Sequence, residues 1–337
     1  MQVLLRADAS ATQGTGHVMR CLTLAHCLRE AAHTVTLATN ESGVVWLEDM
    51  IRANGIDVVR VPQHSLDHKL LSHLAPDWLV VDSYEIEADR ISGCRSAARV
   101  LAIVDGDDRG IDADLYLDHN VGAELLAWPA HVQPRLLAGS RYALIRQSIV
   151  DARRPQPWKF LADSPHIVAV MGGSDPTGTI VPVTQALCGL AGSFRATIVC
   201  ASSWRSEVDA LVADRENFSV MEPTSELPAL LATCDLAVSA AGTSSWEFCT
   251  LGIPSVLIDV VDNQTLGLSE LSSRGLALAV SPAHRSSEEF VEALSRAVGG
   301  LLSDEQKRHA MSLRSLESFD GLGALRVVEA MNSALQS

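Results

Sequence analysis

Residues 3–31, "VLLRADASATQGTGHVMRCLTLAHCLREA", run from an apolar stretch through a glycine turn into an amphipathic stretch. Val3, Leu4 and Leu5 are continuously apolar, as in a strand buried on both faces. Val18, Cys21, Leu22, Ala25 and Leu28 recur at helical spacing and predict a helix over 17–31 with one apolar stripe. Strand, glycine turn and helix in that order form the repeating unit of a parallel sheet, and this decides the fold class. The same reading sets Gly14, Gly16 and His17 where strand gives way to helix. There the unpaired amides of a first helical turn attract an anion or a reacting oxygen. For an isolated histidine the competing role is simple capping or packing.

The pattern repeats. "TVTLAT", "DVVRVP", "WLVVDS" and "RVLAIVD" alternate with predicted helices over 43–54, 66–74 and 86–98. Residues 151–165, "DARRPQPWKFLADSP", carry three prolines and mixed charge and read as a linker. A second series follows: "HIVAVMGG" leads to a helix over 177–191, "ATIVCA" to 205–214, "FSVME" to 225–233, "DLAVSAA" to 243–251 and "PSVLIDV" to 264–273. A chain of 337 residues is long for one core. We therefore expect an α/β protein of two doubly wound Rossmann-like domains, 1–150 and 166–337, the second including the C-terminal helices. They would face each other across a cleft lined by the loops beyond the strand ends.

Composition narrows the function. A formal net charge of -15 argues against sequence-independent nucleic-acid binding. No apolar stretch reaches the ~18 to 20 residues of a membrane span, and Arg6 and Asp8 interrupt the first apolar run, so a cytoplasmic protein is expected. The seven cysteines are scattered without a C-x-x-C pair, which favours reduced thiols over a zinc site. The third glycine of a dinucleotide fingerprint would fall on Met19, and no G-K-[ST] follows, which disfavours NAD and Walker-type ATP binding.

Two further turns suit a diphosphate. In "MGGSDPTG", 171–178, Gly172 and Gly173 clear space and Ser174 and Thr177 offer hydroxyls; alternatively Asp175-Pro176 simply starts a helix. In "SAAGTSSWEF", 239–248, Ala240, Ala241 and Gly242 precede Thr243, Ser244 and Ser245 at a helix start. Glu247 there serves either a ribose diol or a capping box with Ser244. "VVDSYEI", "IVDGDDR" and "VVDNQTLG" add Asp82 and Tyr84, Asp105 to Asp108, and Asn263 and Gln264, each just beyond an apolar strand.

Taken in order, "RADAS", "GTGHVMRCLTLA", "VVDSYEI", "YALIR", "MGGSDPTG", "SAAGTSSWE" and "DNQ" resemble the nucleotide-sugar hydrolases of pseudaminic acid biosynthesis. Those enzymes cleave UDP-2,4-diacetamido-2,4,6-trideoxy-β-L-altropyranose to the free sugar and UDP. The resemblance covers nearly the whole chain and implies a GT-B-like fold, with UDP held mainly by the C-terminal domain and the sugar facing the N-terminal domain. It implies His17 as general base on water at the anomeric carbon, with C–O cleavage, inversion, and neither metal nor cofactor. Tyr84 and Asn263 complete the implied catalytic set. Arg6, Asp8, Gly14, Gly16, Arg20, Asp82, Arg146 and Gln264 match the sugar side. Gly172, Gly173, Ser174, Asp175, Ala241, Gly242, Thr243, Ser244 and Glu247 match the UDP loops.

The chemistry is consistent with this: a neutral imidazole takes a proton from water near neutral pH, while UDP leaves as an anion. "VDGDDRG", "LDHN" and "YALIRQSI" depart from the family pattern, and they bear on sugar specificity. We expect a monomer acting on a small-molecule UDP-sugar, with no nucleic-acid partner. The rival readings are a GT-B glycosyltransferase, in which an acceptor hydroxyl replaces water, and a non-catalytic nucleotide-sugar binding protein, which would have no use for His17.

Overall fold

The computed structural model describes residues 1–10, 14–66, 68–154, 156–157, 164–172, 175–260 and 265–336. The chain forms two compact units, Met1–Gln147 with Gly321–Ser337, and Ser148–Asp320. Residues 155 and 158–163 of the predicted linker lie outside the described residues.

In the first unit β1 (Gln2–Ala7), α1 (Gly16–Glu30), β2 (Thr34–Thr39), α2 (Val45–Ala53), β3 (Asp57–Arg60), α3 (His68–Leu74), β4 (Trp78–Asp82), α4 (Ala88–Gly93) and β5 (Arg99–Ile103) alternate as the hydrophobic periods require. Two further short strands, β6 (Leu115–Asp118) and β7 (Leu136–Ala138), extend the sheet beyond the five strands predicted. All seven are parallel, in the order β3-β2-β1-β4-β5-β6-β7. Along β1 the side chains alternate: Val3 and Leu5 join a core with Val18, Cys21, Ala25 and Leu28 of α1, while Leu4 packs on the opposite face with Leu79 and Ile91.

The second unit opens with α5 (Gln147–Asp151), which begins on the last residue of the first. It continues as β8 (His166–Val170), α6 (Ile180–Cys188), β9 (Arg195–Val199), α7 (Arg205–Val212), β10 (Phe218–Met221), α8 (Leu227–Leu231), β11 (Leu236–Ala240), α9 (Ser244–Leu251) and β12 (Ser255–Ile258). α10 (Thr265–Ser273), β13 (Leu278–Ala279), α11 (Ser287–Ser303) and α12 (Glu305–Ser318) complete it. Its six strands are parallel, in the order β10-β9-β8-β11-β12-β13.

The last helix, α13 (Gly323–Gln336), differs from expectation: it belongs to the first unit rather than to the second. Its apolar stripe, Ala324, Val327, Val328 and Met331, is buried in the same core as β1 and α1. Gly323 lets the chain enter that position, because a Cβ there would stand 2.1 Å from the carbonyl oxygen of Ala143. Among the described residues no helix is long and apolar enough to cross a membrane.

Strand order locates the functional ends. In the first sheet the order reverses between β1 and β4, and in the second between β8 and β11. At such switch points the two flanking loops diverge and leave a crevice beyond the carboxyl ends of the strands.

Candidate active site

At the switch point of the first unit, Gly14 turns the chain with φ +87°, and α1 starts at Gly16 with no side-chain cap from Thr15. His17 follows at once and is 7% exposed. Asp82 is the last residue of β4, the other strand of the switch, and its carboxylate reaches His17, with Nδ1 and Oδ1 2.6 Å apart. Helical spacing brings Arg20 to the same face of α1 three residues on. Its Nε donates to Asp82 Oδ2 and its Nη2 to Oδ1, each at 2.7 Å. Its Nη1 turns to Asp105, beyond β5, at 3.2 and 3.3 Å, and lies 3.3 Å from His119 Nε2.

Asp105 draws in further groups: the Tyr84 hydroxyl donates to it, as does Asn120 Nδ2 at 2.6 Å. Asn120 Nδ2 also donates to Asp118 Oδ1 at 2.8 Å. The Tyr84 ring meets the His17 ring edge-on, with centroids 4.7 Å apart, and is 40% exposed. The centre is thus a buried charge network with His17 and Tyr84 toward its open side.

Burial alone would raise the Asp82 carboxyl, but the Arg20 guanidinium and then His17 overcome this and hold it below the usual range. Asp105 is likewise driven down, against its own burial, chiefly by Arg20 and by the Tyr84 hydroxyl. Tyr84 is raised, by burial and by the Asp105 charge, and stays a neutral phenol. Burial and Arg20 lower His119 to about 4, so it is uncharged at neutral pH. Because Asp82 is ionised, the short contact to His17 needs a proton on Nδ1, and a neutral His17 then carries its lone pair on Nε2. That is the arrangement of a general base steadied by a carboxylate.

Other predicted residues take different places. Arg6 and Asp8 are each 1% exposed and pair bidentately at 2.6 and 2.7 Å. Arg6 Nε also donates to Ser65 O at 2.6 Å, and Asp8 accepts the amides of Asn40 and His64 at 3.2 and 2.8 Å. The pair ties the end of β1 to the loops after β2 and β3. Arg20 and Asp82, also expected on the sugar side, are buried and contact each other and His17. Arg146 is half-buried, while Asn263 and Gln264 lie outside the described residues.

In the second unit the loops after β8 and β11 flank its switch point. Gly172 has φ +75°, while Gly173 and Ser174 lie outside the described residues. Asp175, expected in the UDP loops, bonds to the backbone that follows it. Its carboxylate accepts the amides of Thr179 and Ile180 at 3.0 and 2.9 Å, so it fills the N-terminus of α6 with its own negative charge.

The loop after β11 behaves differently. Ala241 and Gly242 lead to Thr243, the N-cap of α9, which makes no side-chain cap bond. α9 starts at Ser244, so Glu247 is its fourth residue, and the Ser244–Glu247 capping box is not formed. A formed box is seen in α11, where Ser286 and Glu289 exchange bonds of 2.8 and 3.2 Å. Glu247 is 8% exposed, and the Ser245 hydroxyl beside it is buried with no hydrogen-bond partner among the described residues. The start of α9 therefore keeps its positive helix end clear of a side-chain cap. Among the described residues no group of three or more His, Cys, Asp or Glu side chains is arranged to hold a metal ion.

No known family profile matches the chain. It is 22% identical over 336 residues to the spore coat polysaccharide biosynthesis protein SpsG of Bacillus subtilis, covering 97% of this chain and 96% of that protein. It is also 22% identical over 272 residues to the uncharacterized protein MJ1062 of Methanocaldococcus jannaschii, covering 77% of this chain but only 55% of that longer protein. Among solved structures it resembles Acinetobacter baumannii MurG, with TM-score 0.69 and 15% identity over 98% of this chain and 99% of that one. The spinosyn rhamnosyltransferase SpnG complexed with thymidine diphosphate follows, with TM-score 0.66 and 17% identity over 98% of this chain and 100% of that one. The Neisseria meningitidis UDP-GlcNAc 2-epimerase bound to UDP-GlcNAc gives TM-score 0.65 and 12% identity over 99% of this chain and 100% of that one. The chain has two parallel-sheet α/β domains, and GT-B glycosyltransferases are its structural neighbours.

Proposed function

We propose that the protein is a nucleotide-sugar hydrolase that converts UDP-2,4-diacetamido-2,4,6-trideoxy-β-L-altropyranose to the free sugar and UDP. The observation that carries this reading is the His17–Asp82 contact of 2.6 Å, which leaves Nε2 as a base at the switch point of the first sheet. Nε2 takes a proton from water as the water oxygen bonds to the anomeric carbon. The anomeric C–O bond breaks with inversion, and its electron pair leaves on UDP. Tyr84 forms a wall of the water site, its hydroxyl held by Asp105. Gly172, Gly173, Ser174, Ala241, Gly242, Thr243 and Ser244 bind the diphosphate, the uncapped start of α9 supplying amide hydrogens, and Glu247 binds the ribose diol. Asn263 and Gln264 contact the sugar. We place the reaction in the cytoplasm, with a single chain as the working unit.

The similarity to SpsG, named for polysaccharide biosynthesis, and to nucleotide-bound SpnG supports use of a nucleotide sugar. The likeness to MurG and SpnG favours a second reading, a glycosyltransferase in which His17 activates an acceptor hydroxyl. One experiment separates the two. The protein is incubated in ¹⁸O-water with a panel of UDP-2,4-diacetamido sugars, with and without glycosyl acceptors, and UDP and the first-formed anomer are followed by NMR. Hydrolysis gives UDP without acceptor, ¹⁸O on the sugar and inverted configuration. Release that requires an acceptor identifies a transferase, and no release with any sugar refutes both.

A further inference from the structure

Arg20 Nη2 lies 2.7 Å from Asp82 Oδ1 and also 2.8 Å from His17 Nδ1. Two proton arrangements therefore compete for one ring. In the first, His17 Nδ1–H donates to Asp82 and the lone pair is on Nε2. In the second, Arg20 Nη2–H donates to Nδ1, the ring proton moves to Nε2, and the base is lost. The outcome depends on where the guanidinium is pulled. Asp82 draws its Nε and Nη2 edge, and Asp105 draws the far amino group, Nη1. Asp105 is itself fixed by Asn120 Nδ2 at 2.6 Å and by the Tyr84 hydroxyl.

We propose that Asp105 is the positioning residue of this centre: by anchoring Arg20 Nη1 it holds the guanidinium on both oxygens of Asp82, so that Asp82 at 2.6 Å, rather than Arg20 Nη2 at 2.8 Å, pairs with His17 Nδ1 and the ring presents an unprotonated Nε2. Asp105 touches neither the ring of His17 nor a reacting atom in this role; it acts through Arg20. His119, on the far side of the same amino group, is held neutral by burial and by Arg20 and offers no competing charge. The negative charge of Asp105 is held firmly, since Arg20, the Tyr84 hydroxyl and Asn120 all favour its ionised form against burial.

The proposal rests on His17 being a base, but its test reads the ring directly and needs no substrate. The full chain is labelled with ¹⁵N-histidine, and the imidazole nitrogens are recorded at pH about 9, where neutral rings dominate. The His17 signals, among 11 histidines, are assigned by their loss in His17→Gln. The wild-type ring should show the Nδ1–H form. Asp105→Asn should raise the Nε2–H population at unchanged fold, and Tyr84→Phe, which removes one of the two bonds that fix Asp105 but leaves its carboxylate on Arg20, should raise it less. An unaltered tautomer in folded Asp105→Asn, or an equal change in Tyr84→Phe, overturns the proposal. If Asp105→Asn does not fold, Asn120→Ala loosens the same carboxylate and must produce the shift in smaller measure; its absence there overturns the proposal as well. Failure of every UDP-sugar to react would refute the hydrolase reading and leave this result standing.

Discussion

Arg20 grips both oxygens of Asp82, Nε on Oδ2 and Nη2 on Oδ1 at 2.7 Å each, from the helix that also carries His17. A buried carboxylate clamped in this way stays charged, and a charged Asp82 dictates which nitrogen of His17 holds the proton.

Asp82→Asn keeps the shape of the side chain and removes the charge. Arg20 Nη2 then becomes the nearest donor to His17 Nδ1, and the ring adopts the tautomer with no lone pair on Nε2. Turnover should fall by about 10²- to 10⁴-fold, the usual worth of a general base, while UDP affinity is unchanged. Steady-state kinetics with the UDP-sugar and calorimetric UDP titration check both halves.

The pairing of His17 with Asp82 could not be read along the chain, since 65 positions separate them and only the meeting of β1 and β4 in the sheet joins them. What was legible was periodic: the stripe Val18, Cys21, Leu22, Ala25, Leu28 predicted α1, and all five are buried. Arg20 at three residues from His17 was a readable signal of a shared face. β7 escaped because three residues are too few to show a period, and β6 ends on Asp118, which serves the polar network. The stripe of α13 is plain, yet nothing in it says which core it covers. The Ser244–Glu247 spacing suggested a capping box that the backbone refuses, because the loop makes Thr243 the cap.

Glu247→Gln should weaken UDP binding by roughly 1 to 3 kcal/mol, by removing the charge from two ribose hydrogen bonds. No capping box with Ser244 is lost in this substitution. Ser286→Ala in α11 is the contrasting case: a formed box is broken, costing about 1 kcal/mol of stability with no effect on UDP. Calorimetry and thermal melting on both variants test the assignment, and an unaltered UDP affinity in Glu247→Gln removes it from the site.

Asp175→Ala removes the two bonds that its carboxylate accepts from the amides of Thr179 and Ile180 at the start of α6 and should lower stability by about 1 to 3 kcal/mol. Nucleotide affinity should not fall with it, because the carboxylate now filling that helix end opposes a diphosphate. Urea unfolding and UDP titration decide; a loss of UDP binding that exceeds the loss of stability would return Asp175 to the ligand site.

Asp82 and Asp105 are both held below their unfolded-state range, so protonating them costs more in the folded protein. Groups of this kind contribute stability that is present above the unfolded value, about pH 4, and lost as pH falls toward the folded values. Urea midpoints should therefore drop steeply below about pH 4. Asp105→Asn removes one such proton uptake and should give a flatter profile there. Parallel profiles for wild type and variant would contradict the assignment.

The same substitution at two helical glycines should have opposite effects. At Gly323 a new Cβ would stand 2.1 Å from Ala143 O and 2.6 Å from its amide nitrogen, backbone atoms that cannot swing aside. Gly323→Ala must lift the start of α13 from the first unit, prising Ala324 and Val327 from the core, at a cost of about 1 to 3 kcal/mol. At Gly300, exposed in α11, a Cβ meets nothing within 4 Å. Gly300→Ala should then stabilise the protein by about 0.5 to 1 kcal/mol, because alanine loses less backbone freedom in a helix. Urea unfolding of the two variants beside the wild type gives the signs. Equal effects would mean that the seat of α13 against Ala143 is not what holds the C-terminal helix on the first unit.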